Sequence, residues 1–253
     1  MHFELTLSAT YQFLPKVNTT RSSIVMDQFG IGFEQGEHCI AQDVPMSLSS
    51  GEIALFTGES GSGKSSLLRA ARQQLSAQGQ NVLSLDDLHW DDGSLVDLLP
   101  GEISQSLSLL TMCGLGEAQL MLRSPQELSD GQRYRFHLAY ALAQKPDWIV
   151  ADEFTATLDR RLARVISSNL RRLASKSGTG FLLATTHEDI VDDVQADQHL
   201  KCHLNGQIEQ TSSPSTDRKK KEHALPTNAG SLQGPNRTGR TSLGGITGVT
   251  TSG

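Results

Sequence analysis

The residues Gly58-Glu59-Ser60-Gly61-Ser62-Gly63-Lys64-Ser65 constrain this 253-residue chain more than any other stretch. They fit the pattern G-x-x-x-x-G-K-[ST], and they stand between an apolar run, Glu52–Thr57, and a helical pattern, Lys64–Gln78. Glycines in such a loop let successive backbone N–H groups turn toward one point, and the following helix adds the positive end of its dipole. The result is a nest for the β- and γ-phosphates of a nucleotide. Lys64 supplies a positive charge to them, and the Ser65 hydroxyl is placed to ligate Mg²⁺. Ser66 follows on the same first turn.

A phosphate loop needs an acidic partner for the metal. The apolar run Trp148-Ile149-Val150-Ala151 ends in Asp152-Glu153. A strand that ends in a carboxylate delivers it to the crevice at the C-terminal edge of a parallel sheet, so Asp152 is expected beside the phosphate loop as a metal ligand. Glu153, one residue on, is the expected general base for an attacking water. Further strands are expected at Asn81–Leu85 and Phe181–Thr186, and helices at Glu102–Cys113, Asp130–Gln144 and Arg160–Ser175. Strands alternating with helices predict an α/β fold with a mainly parallel sheet covered on both faces. The more polar, strand-like N-terminal 45 residues are expected to form a small antiparallel part.

Composition sets the remaining bounds. Apolar residues make up 37%, and 23 glycines bring the share into the ordinary globular range. The N-terminus lacks the layout of a signal peptide, and no run is apolar enough to span a membrane. Three scattered cysteines give neither a disulfide framework nor a metal-binding spacing. These features predict a cytoplasmic protein with no direct membrane insertion. The formal net charge of −6 is unevenly spread. Residues 211–253 carry +4 and are 24 of 43 Gly, Pro, Ser or Thr, leaving −10 on residues 1–210. The expected division is a folded domain over 1–210 and a disordered low-complexity tail over 211–253. An acidic body repels phosphate backbones, which argues against a nucleic-acid partner.

Two further features narrow the reading. Leu128-Ser129-Asp130-Gly131-Gln132 precedes a helical run with Ser129 as a plausible N-cap, and Phe181–Thr186 leads into His187. The order phosphate loop, L-S-x-G-Q, strand-Asp-Glu, Thr157-Leu158-Asp159 and strand-His resembles the ABC-type ATPases over about residues 25–210. Residues Gly114–Asp159 are most similar to soluble members found fused to predicted acetyltransferase domains, of which this chain corresponds to the ATPase half only.

The resemblance implies a P-loop NTPase of the ABC ATPase type that binds ATP with Mg²⁺ and hydrolyses it to ADP and phosphate. Gly58–Ser66 and Asp152 would hold MgATP, Glu153 would activate water, and His187 would contact the γ-phosphate. Ser129, Gly131 and Gln132 would complete the site of a second copy, with Asp159 at the seam of an ATP-dependent homodimer. The resemblance also calls for an upstream aromatic platform for adenine, a place that Phe33 fits and Phe29 competes for.

The chain also departs from the pattern of transporter ATPases. Only 65 residues separate Lys64 from Ser129, so the helical subdomain is short. The segment Asp86-Asp87-Leu88-His89-Trp90-Asp91-Asp92 has no glutamine, and Asp87, His89 or Asp91 is expected to stand near Mg²⁺ in its place. These departures favour a non-transport process with an unidentified protein partner. The alternatives are the ATP-binding subunit of a transporter, a nucleic-acid or repair ATPase, and a nucleotide-gated module with little turnover.

Overall fold

The computed structural model describes residues 1–212, apart from 13, 15–16, 33–36 and 157. The expected low-complexity tail lies outside the described residues from 213 onward, as do Phe33 and Thr157. The elements run β1 (His2–Gln12), α1 (Thr20–Phe29), β2 (Glu37–Ser49), β3 (Ile53–Gly58), α2 (Lys64–Ala77) and β4 (Val82–Ser84). Next come α3 (Leu95–Leu98), α4 (Ile103–Met112), α5 (Ala118–Met121), α6 (Asp130–Ala143) and β5 (Trp148–Ala151). The last are α7 (Arg160–Ser177), β6 (Gly180–Thr185), α8 (Val191–Val194), β7 (Gln198–Cys202) and β8 (Ile208–Ser212), so β8 runs through the boundary expected at 210.

The main sheet has six strands in the order β4-β5-β6-β3-β7-β8. All neighbours are parallel except the β7–β8 pair at the edge. Alternation along the strands feeds two cores, as period-2 geometry requires. Ile53, Leu55, Ile149, Ala151, Phe181 and Leu183 pack on one face with residues of α4, α6 and α7. Ala54, Phe56, Trp148, Val150, Leu182 and Ala184 pack on the other with α2 and a two-stranded sheet. That sheet is the antiparallel pair β1–β2, whose Phe3, Leu5, Leu7 and Ala9 face inward while Glu4, Thr6 and Ser8 face out.

Local chemistry explains the helix boundaries. Ser129 caps α6 in a capping box with Gln132, and Asp159 caps α7 by accepting from the Arg161 and Leu162 N–H groups. Gly178 ends α7 in the left-handed conformation. α1 lies between β1 and β2, starts at a Thr19–Ser22 capping box and ends at left-handed Gly30. The sequence pattern predicted no helix there. Between β4 and α6 the only α-helices are the four-residue α3, the ten-residue α4 and the four-residue α5. No described helix is long and apolar enough to cross a membrane, and all three cysteines are free.

Candidate nucleotide site

The phosphate loop leaves β3 at Gly58, and its geometry admits little but glycine. Gly58 has φ +136°, and a Cβ there would stand 2.1 Å from the Cys202 carbonyl oxygen. Gly63, with φ +91°, would bring a Cβ within 2.0 Å of Ile40 Cγ2. The chain therefore closes on itself as a bare-backbone cradle. Ser62 Oγ is buried beside Gly58 with no hydrogen-bond partner among the described residues, and Ser62 does not line the cavity that its neighbours line.

Lys64 begins α2, is 8% exposed, and donates from Nζ to the Glu59 carbonyl at 2.7 Å. Burial lowers its pKa below the ordinary lysine value, while Cys202, Asp152 and Glu153 oppose the shift. Ser65 Oγ donates to Asp152 Oδ1 at 3.1 Å, joining the phosphate loop to the end of β5. The same Asp152 oxygen accepts the Glu153 N–H at 3.0 Å.

Glu153 and Thr155 both have positive φ, 50° and 66°, which is costly for residues with side chains. Phe154 between them holds the turn in place. Its ring is 1% exposed, and its N–H donates to the Ala184 carbonyl on β6 at 2.7 Å. The turn leaves Glu153 exposed at the rim of a cavity of about 520 Å³. That cavity is lined by Ser60, Gly61, Gly63–Ser66, Asp152 and Glu153, and closed by Tyr11, Ile40, Ala156 and Ala184–Thr186.

Not every expected residue reaches this cavity. Its lining stops at Thr186; His187 comes next, its N–H donating to Thr185 Oγ1 and its buried Nδ1 without a partner. Ser129, Gly131, Gln132 and Asp159 do not line it either. Ser129 and Asp159 are exposed, each at a helix N-terminus. Gly131 also has a packing role here, since a Cβ would stand 2.5 Å from Leu162 Cδ2 of α7.

Two expectations need correction. Phe29 does not serve the cavity: it ends α1 at 76% exposed, whereas Tyr11, at the far end of β1, lines the cavity wall. The insertion of α1 between β1 and β2 carries this aromatic much further upstream of Lys64 than the spacing suggests. The acidic segment after β4 also differs from the expectation that Asp87, His89 or Asp91 stands near the metal site. Asp87 is turned away in an ion pair with Arg72 at 2.6 Å, and His89 lines a separate outer groove with it. The residue that approaches Asp152 and Glu153 is Asp86.

Comparisons with known proteins identify the family and the fold. A family model described as ABC transporter matches residues 41–105. A lipoprotein-releasing system ATP-binding protein from Maricaulis maris is 30% identical over 208 residues, which cover 66% of this chain and 90% of that protein. The chain belongs to the ABC-type ATPases. A methionine import ATP-binding protein from Cupriavidus metallidurans is also 30% identical, over 195 residues, and the cassette spans 56% of its length. Among solved structures, a dimeric ATP-binding cassette in a post-hydrolysis state with ADP and Pi aligns over 84% of this cassette and 98% of its own chain. The TM-score is 0.57 at 17% identity, a likeness of fold.

Proposed function

We propose that this cassette binds MgATP and hydrolyses it to ADP and phosphate. The observation that carries the reading is the junction of Lys64, Ser65, Asp152 and Glu153 around one cavity. Lys64 and the N-terminus of α2 attract the phosphates. The loop N–H groups orient them, and Tyr11 offers a ring to the adenine. Ser65 and Asp152 would hold the Mg²⁺ ion, which offsets charge on the β- and γ-oxygens when bound. Glu153, presented by its strained turn, takes the proton from the attacking water. His187, the residue after Thr186 at the end of the cavity lining, is proposed to contact the γ-phosphate.

Ser129, Gly131 and Asp159 lie outside the chain's own cavity, and they are proposed to meet the nucleotide of a second copy. The active form is then a two-fold pair with nucleotide at the seam. The names of the relatives, a methionine import protein and a lipoprotein-releasing one, support work as the ATP-binding subunit of a transporter. A second reading, coupling to a non-membrane partner, is favoured by the brevity of α3–α5, which leaves little helical surface ahead of α6.

Glu153→Gln tests the core of the proposal. The variant is expected to bind MgATP normally, to lose about 10²- to 10⁴-fold in phosphate release, and to accumulate as a dimer in size-exclusion chromatography with ATP. Undiminished phosphate release overturns Glu153 as the base. Co-purification of the trapped variant with a membrane protein, or with a soluble one, separates the two coupling readings.

A further inference from the structure

Helix α7 carries six cations, Arg160, Arg161, Arg164, Arg171, Arg172 and Lys176, and no carboxylate. Three of them serve the fold. Arg160 pairs with Asp189 at 2.7 Å, Arg164 with Asp193 at 3.7 Å, and Arg171 with Asp197, a ladder along the segment that leads into β7. Arg161, Arg172 and Lys176 are exposed and enter no salt bridge among the described residues. Arg172 lies about three turns beyond Arg161, and Lys176 about one turn beyond Arg172, so these three share a face of α7 apart from the paired stripe. The fold gives them no counter-charge, although residues 1–210 carry −10.

Toward its C-terminus that face meets the end of α4 across a cavity of about 220 Å³. Asn169, Arg172 and Lys176 line it from α7, and Thr111, Met112 and Gly114 from the other side; none of its lining residues is acidic. The neighbouring acceptors are engaged elsewhere. The Leu107 carbonyl accepts from Thr111 Oγ1 at 2.7 Å, and those of Leu109, Leu110 and Thr111 accept the N–H groups of Cys113, Leu115 and Gly114. The Gly114 carbonyl accepts from Arg135 Nη1 at 2.6 Å, which adds a guanidinium behind the wall. Lys176, in the last turn of α7, suits the helix dipole, but Arg172, a turn earlier, has no such use. The half-buried Asn169 amide has no hydrogen bond among the described residues.

We infer that this cavity is a binding site for a phosphomonoester dianion. Its volume lies below the roughly 300–1,000 Å³ of pockets that take a whole drug-sized ligand, so it admits a single headgroup. A phosphomonoester carries about −1.5 to −2 at neutral pH and three terminal oxygens. The charge matches Arg172 plus Lys176, and the oxygens match three sets of free donors: the guanidinium fork, the ammonium and the Asn169 amide. A carboxylate, or a phosphodiester of a nucleic acid, brings one charge and two such oxygens, and the acidic body repels a polyanion. The site stands apart from the MgATP reading, since α7 packs on one face of the main sheet and α2 on the other.

Glycerol 3-phosphate, titrated by calorimetry with MgADP in excess, tests the site. The wild type is expected to bind it, and Arg172→Gln and Lys176→Gln each to weaken it about tenfold. Arg161→Gln, on the same face but outside the cavity, keeps the wild-type affinity. Arg172→Lys keeps the charge without the fork and falls between, which reads the site should the glutamine variant misfold. A second arm presents the same headgroup on a membrane, by flotation with vesicles of phosphatidylcholine with and without phosphatidic acid. Binding of the free ester alone assigns the site to a soluble phosphorylated compound; phosphatidic-acid-dependent flotation that Arg172→Gln abolishes assigns it to a lipid headgroup. Binding in neither arm overturns the proposal, as does binding that survives both glutamine substitutions, or acetate bound as tightly as the ester.

Discussion

Replacing Lys64 by methionine is expected to move ligand affinity and stability in opposite directions. The side chain is 8% exposed, and its ammonium meets the Glu59 carbonyl at 2.7 Å. Methionine keeps most of the packed stem and removes the charge. Glu59 is exposed, so its carbonyl exchanges the lost donor for water at little cost. Burial holds the Lys64 pKa below 10.5, against the pull of Cys202, Asp152 and Glu153. The folded pKa thus lies under the unfolded one, and below both values the native state carries the full cost of the buried cation. As pH climbs from the folded pKa toward 10.5, the unfolded chain binds more protons and the wild type gains stability.

The variant lacks that alkaline gain, and at neutral pH its unfolding midpoint should match or exceed the wild type's. Affinity moves the other way. A lost hydrogen bond from a charged donor is worth about 1.5–3 kcal/mol, or about 10- to 150-fold in Kd for MgATP. Thermal unfolding at neutral and alkaline pH, paired with calorimetric titration of MgATP, reads both. A midpoint that falls by several degrees at neutral pH refutes the claim that the buried cation is a net cost. Unchanged affinity refutes the placement of Lys64 on the phosphates.

Two other changes probe the ends of the site and the sheet beneath it. Tyr11→Ala should weaken MgATP by about 1–3 kcal/mol, the worth of a base–aromatic stack, while an analogue with no base, tripolyphosphate, binds both forms alike by calorimetry. Gly180→Ala drives a Cβ to 2.3 Å from the fully buried Trp148 ring, its register partner across β5–β6. Overpacking of that kind costs about 1–3 kcal/mol, so the apo midpoint should drop by roughly 2–12 °C.

Most of the parallel core was legible because its signals are local. Trp148–Ala151 is a four-residue apolar run bounded by Pro146-Asp147 and Asp152-Glu153, and the observed β5 has the same limits. Lys64–Gln78 follows three glycines with helical spacing, and α2 ends one residue earlier. β7 and β8 were missed because their residues are mostly polar and only Leu200 and Cys202 are buried. What places β7 is a set of distant contacts: parallel pairing with β3, and Asp197 just before it, which accepts the Ile53 N–H and pairs with Arg171 of α7. No window of neighbouring residues contains that information.

Tyr11 and Asp86 were hidden for two different reasons. Tyr11 is displaced in number but not in space, because antiparallel β1 and β2 return to the same edge whatever is inserted between them. Spacing measures the inserted chain, whereas the place of Tyr11 on the cavity wall is set by strand pairing. Asp86 is hidden by an ambiguity between neighbours. Asp86 and Asp87 are identical in kind and adjacent in sequence, and consecutive residues of a tight turn point to different sides. Arg72 on α2 captures Asp87 at 2.6 Å, and the buried Leu85 fixes the turn's rotation, so the carboxylate left toward Asp152 is Asp86. Composition announces that an acidic residue follows β4. Which one lines the cavity beside Asp152 is decided by an arginine from another element, and only the folded chain brings the two together.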